Sequence, residues 1–419
     1  MNTQRPLALF RRPAGLRLLL GVFILSRLAL LLWNTPRVIG LSQPSDLRYM
    51  LGMAQFSDRG LYPYLGFWME YPPLYPWLTV LVYRLGRCVV GTAAIEAWFY
   101  GVMAALMILC EAGVFLLLHR IALQLYGPQL ALRSTALYLL LTVPGYVVAG
   151  WFDPLPTLLL LAGLYFLLNG RALPSGLMVG LGFVTKLFPA VLLPVALAVA
   201  RGWRARLGYL SAVVGVIGSV WLPFLLASPS MFLASLRNQL GRSSWETIWA
   251  LLDGYYGYGK VASLAEHLDA SKALAANHFS ELPWGEITLL FGVAYLVLYR
   301  RIWRARQPRE IVAGTALTLL WLLLYSKGYS PQYLMWIAPL LVVLLPNRRG
   351  ALYLGGLSLI NLVELPVYFS FFPWCRVLLV LSVLLRTALL AAATGECLRL
   401  VAERVPRPVK GFASARHTG

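Results

Sequence analysis

Apolar runs close to twenty residues long recur from one end of the chain to the other, and no other feature restricts its folding so strongly. A helix of that length spans the ~30 Å hydrocarbon layer of a bilayer. Within that layer every backbone polar group must be satisfied inside the element or by protein neighbours. Soluble domains carry roughly 25% charged residues, whereas this chain carries 12% and has a mean hydropathy of +0.71. The ten-residue alternating segments of a membrane β-barrel are absent. The pattern therefore predicts an all-α, polytopic membrane protein with about 12 crossing segments.

The net charge of +20 would suggest nucleic acid in a soluble protein. Here the arginines cluster between apolar runs, as cytoplasmic loops do, so no nucleic-acid partner is expected. Cys88, Cys110, Cys375 and Cys397 are scattered, without CxxC or Cys/His spacing, and His119, His267, His278 and His417 have no partner at metal-ligand spacing. Neither a metal site nor a cofactor is expected. Arg11, Arg12 and Arg17 precede the first apolar run without a cleavage signal, which reads as an uncleaved first helix.

Basic flanks orient the spans. Leu18–Trp33 runs outward and opens a first outer loop, 36–97. In it, LYPWLTVLVYRLG is too short to cross and is expected to lie at the outer face; a full crossing of 73–90 is the alternative. Spans follow at Trp98–Leu118, Thr135–Ala149 and Pro156–Leu168. The segment GLMVGLGFVTKLFPAVLLPVALAVA lies between two basic stretches on one side. It is therefore expected to enter and leave by the same face as two half-helices, turning near 185–189. Leu207–Leu226 leads to a large outer loop, 228–285. Then come Ile287–Ile302, Val312–Tyr325, Tyr333–Leu345, Tyr353–Pro366 and Val377–Ala393, and a basic tail, 398–419. The whole chain, 1–419, reads as a single domain.

On this topology most of the sixteen acids fall outside. Acids contribute little to orientation, so a shared extracytoplasmic site is the simplest cause. Asp46 in PSDLRYM is a candidate general base, since burial raises a carboxyl toward useful pKa values; Ser45 or Asp46 could also cap a helix, a role compatible with the first. Glu70 in EYPPLYPWL and Asp153 in GWFDPLP could bind substrate or serve helix starts. Asp58 reads as a solvated pair with Arg59, and Glu111 as a mid-span residue satisfied inside the bundle. Lysines are few, five against thirty-one arginines, so Lys186 within an apolar hairpin stands out as a phosphate partner. Lys327, Tyr329 and Gln332 in KGYSPQYLMWIAPL, and Arg242 beside Trp245 and Glu246, are further candidate substrate contacts. Snorkelling is the plain alternative for Lys327, and an ordinary exposed loop for Arg242.

With PSDLRYM, EYPPLYPWL, GWFDPLP, GLMVGLGFVTKLFPAVLLP and KGYSPQYLMWIAPL in that order, the chain resembles the glycosyltransferase-C superfamily, and glycosyltransferase family 87 in particular. The resemblance implies a polyprenyl-phosphate sugar donor, mannose favoured, and a lipid or glycan acceptor. It also implies an inverting transfer outside the cytoplasm, while the scarcity of lysine against arginine suggests a GC-rich bacterial genome and so the cell membrane of a bacterium. By position, Asp46 would be the base, Asp153 a polar residue near the acceptor, and Lys186 and Lys327 donor-phosphate contacts. The chain lacks the paired DxD and the large soluble domain of the oligosaccharyltransferase-like members. A flippase for a polyprenyl-linked substrate and a non-catalytic scaffold are the competing classes.

Overall fold

A computed structural model describes residues 13–33, 46–141 and 151–402 of the chain. Expectations for 34–45, for the second half of the Thr135–Ala149 span and for the basic tail beyond Ala402 lie outside the described residues. Helix α1 (Pro13–Trp33) is followed by α2 (Asp46–Gln55), α3 (Leu74–Val89), α4 (Ile95–Tyr126) and α5 (Pro128–Leu141). Next come α6 (Pro154–Leu168), α7 (Ala172–Phe183), α8 (Leu192–Val199), α9 (Trp203–Ala227), α10 (Pro229–Gly241) and the short α11 (Ile248–Leu252). The series ends with α12 (Trp284–Ile302), α13 (Pro308–Tyr325), α14 (Leu334–Leu344), α15 (Arg348–Leu362) and α16 (Arg376–Ala402). Among the described residues the only strand-like pairings are isolated bridges at Pro63–Phe67 and Trp245–Gly328.

Among the described residues, five helices are long and apolar enough to cross a membrane by length and composition: α1, α4, α9, α15 with its π-type continuation to Phe371, and α16. Other apolar stretches, at 154–168, 172–183, 188–199 and 331–344, fold as shorter helices. The outward faces are those of a lipid-exposed bundle. On α9, for example, Leu207, Val214, Leu222 and Leu226 are exposed, a pattern that water would penalise and hydrocarbon does not. Inside, α14 is buried at every one of its 11 residues and forms the axis of the main core cluster. Arg27 and Glu111, both fully buried, join α1 to α4 through two hydrogen bonds of 3.0 and 2.8 Å. Satisfying each charge with the other is what tolerates them in the interior.

The helix break expected near 185–189 is present. α7 ends at Phe183, residues 184–187 carry no helix, and a 3₁₀ turn at Phe188–Val191 opens α8. Both arms reach the same point of α6: a Cβ added to Gly163 would sit 3.2 Å from Val179 and 3.2 Å from Leu192. Gly176 matters more. A Cβ there would lie 2.6 Å from the Tyr209 carbonyl oxygen, so its absence is what lets α7 approach the backbone of α9.

α3, at 16 residues, buries Tyr75, Val80, Val82 and Tyr83 while leaving Leu81, Leu85 and Val89 exposed. Its first amide, Leu74 N, donates to the Val184 carbonyl at 3.0 Å. The EYPP segment is thereby pinned to the break in the hairpin.

Candidate active site

That pin brings together side chains far apart in sequence. Asp46, the first residue of α2, accepts a hydrogen bond from Tyr71 Oη at 3.0 Å on Oδ2. The Lys186 ammonium lies 5.8 Å from the centre of the same Tyr71 ring. Three further rings complete a cage around Nζ: Phe152 at 4.8 Å, Tyr333 at 5.4 Å and Trp336 at 5.1 Å. Aromatic faces attract a cation electrostatically, which helps hold an ammonium whose side chain is only 12% exposed.

Asp153 supplies the countercharge. Its Oδ1 accepts from Lys186 Nζ at 2.8 Å and from Trp336 Nε1 at 2.5 Å, while Oδ2 has no partner among the described residues. The carboxylate makes no bond to the start of α6, so the helix-capping alternative does not apply. One of the three donors of the ammonium is thus committed to Asp153; among the described residues no second acceptor meets Nζ, so its remaining donors can face an anion.

Burial pushes the Asp46 carboxyl up to about 6. The nearby positive charge of Lys186 opposes that rise, the negative charge of Asp153 adds to it, and the Tyr71 hydrogen bond and Arg242 pull it back. A group titrating there is ionised at neutral pH and more basic than a free carboxylate, as a general base should be.

Behind this cluster Glu70 is 1% exposed. Its oxygens are taken by the Tyr49 hydroxyl, by His267 Nε2 at 2.9 Å and by the Ala262 amide at 3.2 Å. Burial alone would raise this carboxyl; the hydrogen bond and charge of His267, with the Tyr49 bond, hold it below its ordinary value. His267 Nδ1 faces the Ser263 carbonyl at 2.7 Å, and its ring stacks on Trp68 at 4.2 Å. Trp68 N in turn donates to the His267 carbonyl. Glu70 therefore latches the 228–285 segment onto the 46–90 segment, and it meets neighbouring groups rather than open space.

The remaining expected contacts fall around this centre. Arg242 stacks 4.3 Å over Trp245 and donates to the Lys260 carbonyl at 3.0 Å. Lys327 Nζ sits 4.6 Å over Trp284, outside the Lys186 cage. Tyr329 is 1% exposed beneath the Arg386 guanidinium, 3.9 Å from its ring centre. Gln332 is buried beside the Tyr333 edge of the cage, and its Oε1 has no partner among the described residues. Asp58 does not pair with Arg59: it binds Tyr83 at 2.5 Å and Arg84 at 3.2 Å, with Arg87 at 3.8 Å. The turn of α2 into a 3₁₀ segment aims it at α3 instead of at its sequence neighbour. Sequence reasoning missed Tyr49, Tyr71, Phe152, His267, Tyr333, Trp336 and Arg386. Five of these stand within or beside motifs that were singled out, so their aromatic density was the available signal.

No curated protein matches the chain. The pattern that defines glycosyltransferase family 87 matches residues 68–326, an interval that contains Glu70, Asp153, Lys186 and Arg242 and stops short of Asp46 and of Lys327 onward. Because that match covers more than half of the chain, the protein belongs to glycosyltransferase family 87.

Proposed function

We propose that the protein is an inverting hexosyltransferase, with mannose the favoured sugar, that uses a polyprenyl-phosphate donor and a lipid or glycan acceptor. Asp46 is its general base. The observation that carries this reading is the linkage of Asp46, through the Tyr71 ring, to the Lys186–Asp153 pair: a base and a caged cation in one cluster, in a chain of this family.

The acceptor hydroxyl attacks the anomeric carbon as its proton passes to Asp46 Oδ1 or Oδ2. The bond from that carbon to the phosphate oxygen breaks on the opposite face, and polyprenyl phosphate leaves. Phosphate is a competent leaving group, so the step needs no general acid and no cofactor. A fixed cation facing the developing phosphate charge supplies the electrostatic contribution. Lys186 carries that role, Arg242 and Lys327 stabilise the donor at greater distance, and Gln332 and Asp153 orient hydroxyls. Glu70 acts through Tyr49 and His267, and Tyr329 through Arg386, rather than on substrate. The site opens outside the cytoplasm of a bacterial cell, in a single domain crossing the membrane about 12 times.

Screening labelled polyprenyl-phosphate hexoses with the reconstituted protein, and identifying products by mass spectrometry, tests this directly. Donor-dependent product of inverted anomeric configuration is expected; translocation of intact donor without transfer would replace the enzyme with a flippase.

A further inference from the structure

Arg386 lies inside the apolar run of α16, where an arginine is costly unless it has a defined task. It is 2% exposed and joins three separate parts of the chain. One amino group donates to Glu364 Oε2, in the π-type turns after α15, and the other to the backbone carbonyl of Glu246. The guanidinium plane covers the Tyr329 ring at 3.9 Å. Glu246 and Glu364 are also buried, at 4% and 0% exposure, and burial beside Glu364 drives the Glu246 carboxyl well above its ordinary range.

Glu246 has φ of +52°, a left-handed conformation that a side-chain-bearing residue holds only when its surroundings impose it. The surroundings are a short strap. Trp245 N donates to the Lys327 carbonyl and Tyr329 N to the Trp245 carbonyl, both at 3.1 Å. Thr247 Oγ1 donates to the Lys327 carbonyl at 2.8 Å, and the Trp245 indole N–H to Ser330 Oγ at 3.2 Å. The indole fills the space that any side chain at Gly328 would need. The same indole carries Arg242 on its face, and Arg242 is one of the charges acting on Asp46.

We propose that Arg386, held by Glu364, is a positioning residue that fixes the Glu246 carbonyl and thereby the 242–247 strap, so that Arg242 is presented toward the Asp46–Lys186 cluster. The functional half of this rests on the transferase reading; the conformational half does not. A guanidinium is required because its planar fork serves the carboxylate and the carbonyl together, which an ammonium cannot do with the same geometry.

The test is hydrogen exchange of the Trp245 and Tyr329 amides in the full-length purified protein, alongside donor kinetics. Arg386→Lys should speed exchange of those two amides at least tenfold and raise the donor KM about fivefold or more, with a smaller change in kcat. Arg386→Gln strands two buried carboxyls and can unfold the protein. The double variant Glu364→Gln/Arg386→Met removes the buried ion pair and leaves only the Glu246 carboxyl, which burial keeps far above its ordinary range. It should regain part of the melting temperature lost in Arg386→Gln, yet leave the Trp245 and Tyr329 amides fast and the donor KM high, since the Glu246 carbonyl still lacks its donor. Wild-type protection of these amides in the double variant overturns the proposal. Absence of transfer by the wild-type protein instead overturns the enzyme reading, and leaves the exchange result to decide the clamp.

Discussion

Burial that lifts the Asp46 carboxyl to about 6 from an ordinary 3.8 has two opposite consequences. For stability, the folded state binds this proton more tightly than the unfolded chain. The contribution is therefore fully present below about pH 4 and is lost as the pH rises through 6. Asp46→Asn should accordingly melt above wild type at pH 7.5, and the gap should close below pH 4; thermal unfolding in detergent across that range measures it. For chemistry the sign reverses, because only the ionised form accepts a proton. Lys186→Met keeps the bulk but removes the ammonium, so initial rates against donor concentration should show KM rising about 10- to 100-fold, the cost of a charge-assisted hydrogen bond. Asp46 and Lys186 were legible in the sequence as an acid after the first crossing and a lysine within an apolar hairpin. The cage around Lys186 was not, since Tyr71, Phe152, Tyr333 and Trp336 come from three separate motifs and no spacing rule joins them.

At the level of elements, the broken hairpin was legible because its length, its flanking basic residues and Pro189 leave few alternatives. Its close packing is a matter of glycine positions. Gly176→Val forces a Cβ into the Tyr209 carbonyl, 2.6 Å away, where backbone cannot yield; a loss of about 1–3 kcal/mol is expected. Gly215→Ala, on α9 with nothing within 4 Å of its added Cβ, should instead be neutral or stabilise by up to about 1 kcal/mol through helix propensity. Chemical or thermal unfolding of the two variants side by side separates packing from propensity. The pairing of Glu70 with His267 was not legible: 197 positions separate them, and only the folded 228–285 segment brings the ring beneath α2. Arg386 was legible in principle as a lone cation in an apolar helix, by the same logic that singled out Lys186.

For the whole molecule, an all-helical membrane architecture followed from composition and run length, since those alone decide which surfaces hydrocarbon accepts. Membership of glycosyltransferase family 87 followed from ordered motifs, of which the outermost two lie beyond the matched interval 68–326. What joins fold to function is the proton transfer assigned to Asp46, and the pH profile of donor-dependent transfer tests it most directly. With wild-type protein, kcat/KM should fall about tenfold per pH unit below an acidic limb near 6. Asp46→Asn should lose roughly 10²–10⁴-fold of that rate and show no such limb. An Asn variant with wild-type turnover and an unchanged limb would contradict the account.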